Sequence, residues 1–515
     1  MLKLTSAELN SAFTAIQHHG YGSFFPLPPE FPLIDSVWTE LRPALEAKDL
    51  DIYQCYEPLK AFVPKSRLNV RFVSFLHPFD LLFYTALVMR LRDSISAARL
   101  PLNAHRVYSF RSERATGDML YATKPGYQEF KERQRKKIKN RSIRFAGVAD
   151  IADFYPRIYT HRLKAALEAA TDISHRDTIR VLDKLLTQFS GGPSYGIPVG
   201  PAASRPLAEA VLIDVDSALR AHGVDFVRFV DDFVIFGKSY EAVEESLHFL
   251  GEKLFLNHGL TLQTAKTDIY TSKEFKKKFL SSEFPEKEAT RRRLIEIMTG
   301  NEYEERSYEE LDDDEKAEID AINLTEMLEE ALSPSQVIDY REVSFILGRL
   351  SALKQPELIP IVLKNIHRLY PIAHSVAAFF QEFVSLRTRE RKRIAKTLLR
   401  PLTSNRGIQP PVYYAIWILN LFYNNPAWNH ADDLLNIFQR HPSQLVKRHA
   451  ALALSASGSR VHALALKEHF PSAPPLLKTA ILIGTKSLGD DERKYWLHSL
   501  RLTDPLERVV AFGHL

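Results

Sequence analysis

Two adjacent aspartates, Asp231 and Asp232, interrupt an apolar stretch that runs from Val224 to Gly237. The β-branched and aromatic residues on either side read as two strands, with the acidic pair where they turn. Like charges at a hairpin tip repel each other, and desolvation adds to the cost. Their natural counter-charge is a divalent cation, because hard metals such as Mg²⁺ take carboxylate oxygens. A solvated Asp-Asp turn is the competing reading. Upstream, Val148-Ala149-Asp150 closes a second apolar strand, and a helix-like stretch follows from His161 to Ala169. Asp153 lies three residues beyond Asp150 and reads as a cap for the next turn rather than a metal ligand.

Two further segments complete the pattern. Tyr195-Gly196-Ile197-Pro198-Val199-Gly200 begins a glycine-proline loop that opens a helix near Ser204, and Lys266 follows Gly259-Leu260-Thr261-Leu262. In order and spacing, these four segments resemble the polymerase palm of reverse transcriptases. The resemblance puts Asp150 at the first metal-binding aspartate. Phe229-Val230-Asp231-Asp232 takes the place of the tyrosine-x-Asp-Asp signature. Gly196, Pro198 and Gly200 take the nucleotide-side loop.

The resemblance implies nucleotide addition by two Mg²⁺ or Mn²⁺ ions about 3.5–4 Å apart. Asp150 and Asp231 are the expected bridging ligands. Asp232 is expected to support them, since neighbouring strand residues face opposite ways. Tyr155 falls at the steric gate that excludes a ribose 2′-hydroxyl, which implies dNTP substrates. Arg71 and Arg111 loosely match the arginines that clamp triphosphates, a task that suits guanidinium geometry. Lys266 is a candidate for holding a phosphate or protonating pyrophosphate. Ordinary readings stand beside these: a core aromatic for Tyr155, and surface cations for the arginines and the lysine.

Composition sets outer bounds. With 515 residues, 45% hydrophobic and 25% charged, the chain is globular and too long for one ordinary core. One cysteine, Cys55, excludes internal disulfides and Cys-rich zinc sites. The net charge of +5 is mild, but it is unevenly spread. Nine Lys/Arg fall between Lys124 and Arg144, and fourteen acids between Glu302 and Glu330. The basic stretch is expected to hold a nucleic-acid backbone. The acids around 311–315 read as a solvated helix start or linker. No basic flank leads into an apolar stretch at the N-terminus, and no run is long enough to span a membrane. A cytoplasmic location is expected.

The expected class is α+β: reverse-transcriptase-like fingers and palm followed by an all-α, HEAT-like helical domain. The boundaries are 1–145 for the N-terminal segment and fingers, 146–280 for the palm and 281–515 for the helical repeats. In the last part strand-like runs vanish, and apolar stripes of 12–16 residues recur between prolines. Arg368 and His374 superficially fit the Arg-x(4–6)-His pattern of a helical ribonuclease, but Pro371 between them disfavours the helix it needs.

Departures from the family narrow the resemblance. Val199 stands where a glutamine is usual, and Phe229 where a tyrosine is usual. No primer-grip hairpin, RNase H domain or Cys-His endonuclease module is evident. This combination resembles the abortive-infection (Abi) reverse transcriptases of bacteria, specifically the AbiK-related compact type of enteric prophages. That resemblance implies a phage-defence enzyme, a homo-oligomer, that makes single-stranded DNA without a template and primes it from its own hydroxyl. Tyr21, flanked by Gly20 and Gly22 before a proline-rich stretch, is the priming candidate. A templated RNA-directed DNA polymerase, as in retrons or group II introns, is the alternative.

Overall fold

The structure is a computed structural model. It describes residues 1–65, 69–115, 117–122, 126–280, 313–314, 316–317, 324–333, 338–353, 356–404 and 410–513. Most of the acidic segment around 311–315 and the expected boundary at 281 lie outside the described residues. The chain packs as two units. The first holds residues 1–22, 39–58 and the described residues from 76 to 280. The second holds 23–38, 59–75 and the described residues from 313 on. Sequence analysis places the whole of 1–145 in one N-terminal region. The packing instead groups 23–38 and 59–75 with the C-terminal helices.

In chain order, α1 (Ser6–His19) belongs to the first unit, while α2 (Glu30–Ser36) and the hairpin β1 (Leu59–Pro64) and β2 (Val70–Phe75) belong to the second. A Thr5–Glu8 capping box starts α1. The first unit continues with α3 (Pro78–Ala98), α4 (Gly126–Lys139) and β3 (Phe145–Asp150). Next come α5 (Thr160–Ala170), α6 (Arg176–Ser190), α7 (Ser204–Val211) and α8 (Ile213–Ala221). It ends with β4 (Asp225–Phe229), β5 (Asp232–Gly237), α9 (Tyr240–His258) and β6 (Asp268–Thr271).

The four strands form an antiparallel sheet in the order β4-β5-β3-β6. One face packs Ala146, Val227, Val234 and Phe236 with Tyr108, Phe130 and Phe275. On the other, α9 lies close because Gly147 and Gly237 have no side chain. A Cβ on either would come within 2.7 Å or 2.5 Å of Val243. The sheet is thus fixed from both sides, and its strand ends carry the acids.

The second unit is helical apart from the β1–β2 hairpin. Its inner layer stacks α10 (Tyr340–Leu353), α11 (Ala373–Gln381), α13 (Val412–Asn424), α15 (Gln444–Ser457), α17 (Pro475–Gly484) and α18 (Pro505–Phe512), each against the next. A second row pairs α12 (Thr388–Thr403) with α14 (Ala431–Arg440), and α14 with α16 (Arg460–His469). The inner α13 is apolar almost all round, whereas α12 and α14 bury one stripe each. The hairpin strand β1 rests on α13 and α15. Glu30 of α2, fully buried, accepts from Arg448 Nη2 at 2.5 and 2.6 Å and from Thr479 Oγ1 at 2.7 Å. Residues 358–370 do not form one helix but break into Ile359–Lys364 and short turns ending at the 3₁₀ turn Tyr370–Ile372. Arg368 there donates to Ser333 O, and His374 pairs with Tyr413 Oη at 2.8 Å, so each has a structural partner. Among the described residues no helix is long and apolar enough to cross a membrane.

Candidate active site

The acidic turn is built by strand register. Phe229 pairs with Asp232, which leaves Val230 and Asp231 as a two-residue hairpin loop. Val230 has φ of 58°, and Asp231 has no positive φ. A positive φ at the first central position alone is the φ pattern of a type II′ turn, which normally takes glycine there. A β-branched residue in that region is strained.

Across the sheet, Asp150 ends β3 directly opposite Asp232, which begins β5. Directly paired residues share a face and approach closely, so these two carboxylates are neighbours. Asp231 joins them from the turn, where its carbonyl accepts Ile151 N–H at 3.3 Å. The expectation had paired Asp150 with Asp231 and set Asp232 aside by alternation. The strand begins only at Asp232, so alternation does not relate the two residues of the acidic pair. Asp232 still reaches solvent. Even so, lost hydration together with repulsion from Asp231 and Asp150 pushes its carboxyl up to about 6. Asp153 takes a left-handed backbone before a short helix, and its side chain makes no capping bond. The expected cap is therefore absent.

Lys266 closes a 3₁₀ turn, and its ammonium meets Asp150 Oδ2 at 2.7 Å. Partial burial works against its charge, but the bond to Asp150 and the neighbouring carboxylates outweigh it and raise its pKa. Lys266 therefore sits on one of the three clustered acids rather than apart from them. Among the described residues no three acidic, His or Cys side chains form a ready-made metal cage. Asp150, Asp231 and Asp232 nonetheless cluster and repel one another, and carboxylates are the ligands that a hard cation such as Mg²⁺ prefers.

Tyr155 lies in the turn after β3, where burial pushes its phenol well above the usual range and Arg205 and Asp231 are among the charges that reach it. Its carbonyl accepts Ile197 N–H at 3.1 Å, and Gly196 N–H bonds Ile158 O at 2.7 Å. These bonds tie the glycine-proline loop to the Tyr155 turn. Gly196 has φ of 91°, and a Cβ there would stand 3.3 Å from Pro156 O. Pro198 and Gly200 are buried, and Pro198 O accepts from the fully buried Ser204 at 2.5 Å. These two residues shape the loop from inside.

Three expected contacts are placed differently. Arg111 is 2% exposed, and it is bound to the carbonyls of Leu100 (2.7 Å) and Val107 (2.8 Å) and to Glu113. It is a fold-holding arginine, not a triphosphate clamp. Arg71 lies on β2 in the second unit, with its guanidinium 5.4 Å from the Phe24 ring centre. Tyr21 is 1% exposed, and its hydroxyl accepts Leu76 N–H at 2.8 Å. So enclosed, the Tyr21 hydroxyl is not presented to a nucleotide as a priming group would be.

Other residues at the site escaped the sequence reading. Arg205, at the start of α7, donates to Tyr121 Oη at 2.7 Å and lies over Phe110. Lys131 of α4, part of the basic stretch expected to hold a nucleic-acid backbone, also lies over Tyr127 and Phe130 and acts on the Asp232 carboxyl. Tyr127 meets Phe229 edge-on at 5.2 Å. Beneath the turn, Arg228 is fully buried and donates to Asp216, Glu209 and Val230 O. A charged residue in the middle of an apolar strand was the one available signal.

Residues 63–285 match the family model described as reverse transcriptase (RNA-dependent DNA polymerase). The match places a domain similar to those of reverse transcriptases at residues 63–285. Among solved structures, the chain is similar to telomerase from Candida albicans in complex with a TWJ fragment of telomeric RNA. That match has 11% identity and a TM-score of 0.32, over 76% of this chain and 62% of that one. It is also similar to apo telomerase from Candida tropicalis, at 12% identity and TM-score 0.31, over 88% of this chain and 70% of that one. The chain thus spans less than two thirds of the first of these. No curated protein matches it.

Proposed function

We propose that the chain is a DNA polymerase of reverse-transcriptase type, acting in bacterial antiphage abortive infection without a template and primed by a protein hydroxyl. The observation that carries the polymerase reading is the register pairing of Asp150 with Asp232, with Asp231 beside them in a two-residue turn. Asp150, Asp231 and Asp232 would hold Mg²⁺ or Mn²⁺. When bound, such ions lower the pKa of an attacking hydroxyl and neutralise phosphate charge. The protein's own part is to position: Tyr155 beside the acids meets the sugar, and Arg205 supplies the cation that Arg111 does not. Lys266, whose ammonium bonds Asp150, would hold a phosphate of the substrate.

Template independence and abortive infection rest on the resemblance to Abi reverse transcriptases alone. It is supported by the helical second unit, whose alternate helices stack in two rows as HEAT-type repeats do. Product single-stranded DNA would follow the basic face of α4. Homo-oligomerisation is part of the same proposal.

The test is to incubate purified protein with Mg²⁺ and labelled dNTPs, with no nucleic acid added, and then run denaturing gels with and without nuclease. Label that stays on the protein until nuclease is added supports the reading. Incorporation only when primer and RNA template are supplied selects the templated alternative instead.

A further inference from the structure

A charge-balanced network lies buried beneath the acidic turn. Arg99, Arg228 and Glu209 are at most 4% exposed, and Asp216 is 1% exposed. Glu209 Oε2 accepts from Arg99 at 2.6 Å and from Arg228 at 3.0 Å. Asp216 takes Arg228 Nε at 2.8 Å and Nη2 at 2.5 Å. Two arginines thus face two carboxylates, and the pairing leaves little net charge inside the protein.

The network touches the turn at one residue, from both sides. Arg228 Nη1 donates to Val230 O at 2.8 Å. Ser109 Oγ accepts Val230 N–H at 3.1 Å and itself donates to Glu209 Oε1 at 2.5 Å. Both backbone groups of the strained residue are therefore held by side chains, and both side chains lead to Glu209. Left-handed backbone at a β-branched residue persists only where its surroundings over-determine it. Here that surrounding is identified atom by atom.

We infer that Ser109, Arg228 and Glu209 are positioning residues that lock Val230 at positive φ and thereby aim Asp231 at the metal. The inference rests on the polymerase reading of the site. It adds that the ligand geometry is imposed from below the sheet by groups that never touch substrate. Removing partners of this kind behind metal ligands typically costs 10–100-fold in metal affinity or activity.

Two small variants separate positioning from folding. Ser109→Ala deletes one hydroxyl and leaves the arginine–carboxylate pairs intact. Val230→Gly removes the strain, because glycine accepts positive φ freely. Both are expected to keep a melting temperature within a few degrees of the parent, with Val230→Gly no lower. Both are expected to lower kcat about tenfold or more, with KM for dNTP little changed. Binding of Mn²⁺ to the free protein, followed by electron paramagnetic resonance, is expected to weaken several-fold in each. Parent-like kcat and Mn²⁺ affinity in both variants would overturn the inference. So would losses that merely track the folded fraction. If the parent protein incorporates no nucleotide under any condition, the polymerase reading fails. The Mn²⁺ titration then still decides whether Ser109 and Val230 set the ligand geometry.

Discussion

Two of the three acids, Asp150 and Asp231, are open to a direct test that leaves shape unchanged. Asp150→Asn and Asp231→Asn each keep the side-chain size and remove an anionic metal ligand. Both are expected to cut incorporation by roughly a hundredfold or more, while circular dichroism stays that of the parent. Activity within a few-fold of the parent in either variant would end the polymerase reading. Tyr155 tests sugar selection. Its main chain is held in the turn by Ile197 N–H donating to its carbonyl, so truncating the side chain leaves that tie in place. Tyr155→Val is expected to admit ribonucleotides, read from dNTP against rNTP competition, and unchanged discrimination would return Tyr155 to a packing role. At this scale the sequence revealed the acids, because carboxylates inside β-branched runs are costly without a cation. It hid their pairing, because a two-residue turn takes Asp231 out of strand alternation. It hid the burial of Arg111 and Tyr21 as well, since their partners are backbone groups of Leu100, Val107 and Leu76, which no side-chain pattern announces.

At the level of single elements, α4 runs from the acidic site along the proposed path of the product. Its first turn abuts the acidic hairpin closely, since a Cβ on Gly126 would stand 2.6 Å from Tyr108 O and 3.6 Å from the Phe229 ring. Phe130 and Gln134 face inward. Tyr127, Lys131, Arg135 and Lys139 recur every four residues on another side, over about 18 Å of helix. Cations at that spacing, with an exposed aromatic at one end, suit a single-stranded backbone and a stacked base. Removing three charges in Lys131→Gln/Arg135→Gln/Lys139→Gln should therefore weaken single-stranded DNA binding and flatten its salt dependence. The slope of log K against log salt should fall in magnitude by about 2, at roughly 0.7 per phosphate contact. Fluorescence anisotropy across a KCl series measures it, and an unchanged slope would remove α4 from the product path. The basic run was legible in the sequence. Its helical phase and its docking on Phe229 were not, because they depend on which residues the sheet buries.

On the scale of the molecule, the second unit is assembled from three separate parts of the chain. Phe25, Phe31 and Phe75 are buried within it, and Glu30 ion-pairs with Arg448 across more than 400 positions of sequence. Local patterns showed a helical C-terminal half but not that residues 23–38 and 59–75 complete it, since an apolar stripe does not say which core it enters. One consequence is that a chain cut near 285 strands those segments, so loss of synthesis in such a fragment would report unfolding as much as function. A second consequence concerns acid. His449 is 3% exposed, stacks edge-on at 6.5 Å from Phe75, and holds Leu445 O at 2.8 Å. Burial, with the adjacent Arg448 charge, lowers its pKa to about 3 from an ordinary 6.5. A histidine whose folded pKa is depressed stabilises fully above the unfolded value. That stability drains away as pH falls from about 6.5 toward 3, at up to about 1.4 kcal/mol per pH unit. Three of the four tryptophans, Trp417, Trp428 and Trp496, lie well inside this unit, and Trp38 is at its edge, so tryptophan fluorescence reports chiefly its unfolding. Its transition is expected to fall steadily between pH 7 and 5. His449→Gln, which keeps a donor for Leu445 O but cannot take up a proton, is expected to flatten that decline even if it lowers stability at pH 7. A variant that loses stability with acid as steeply as the parent would place the sensitivity on other groups.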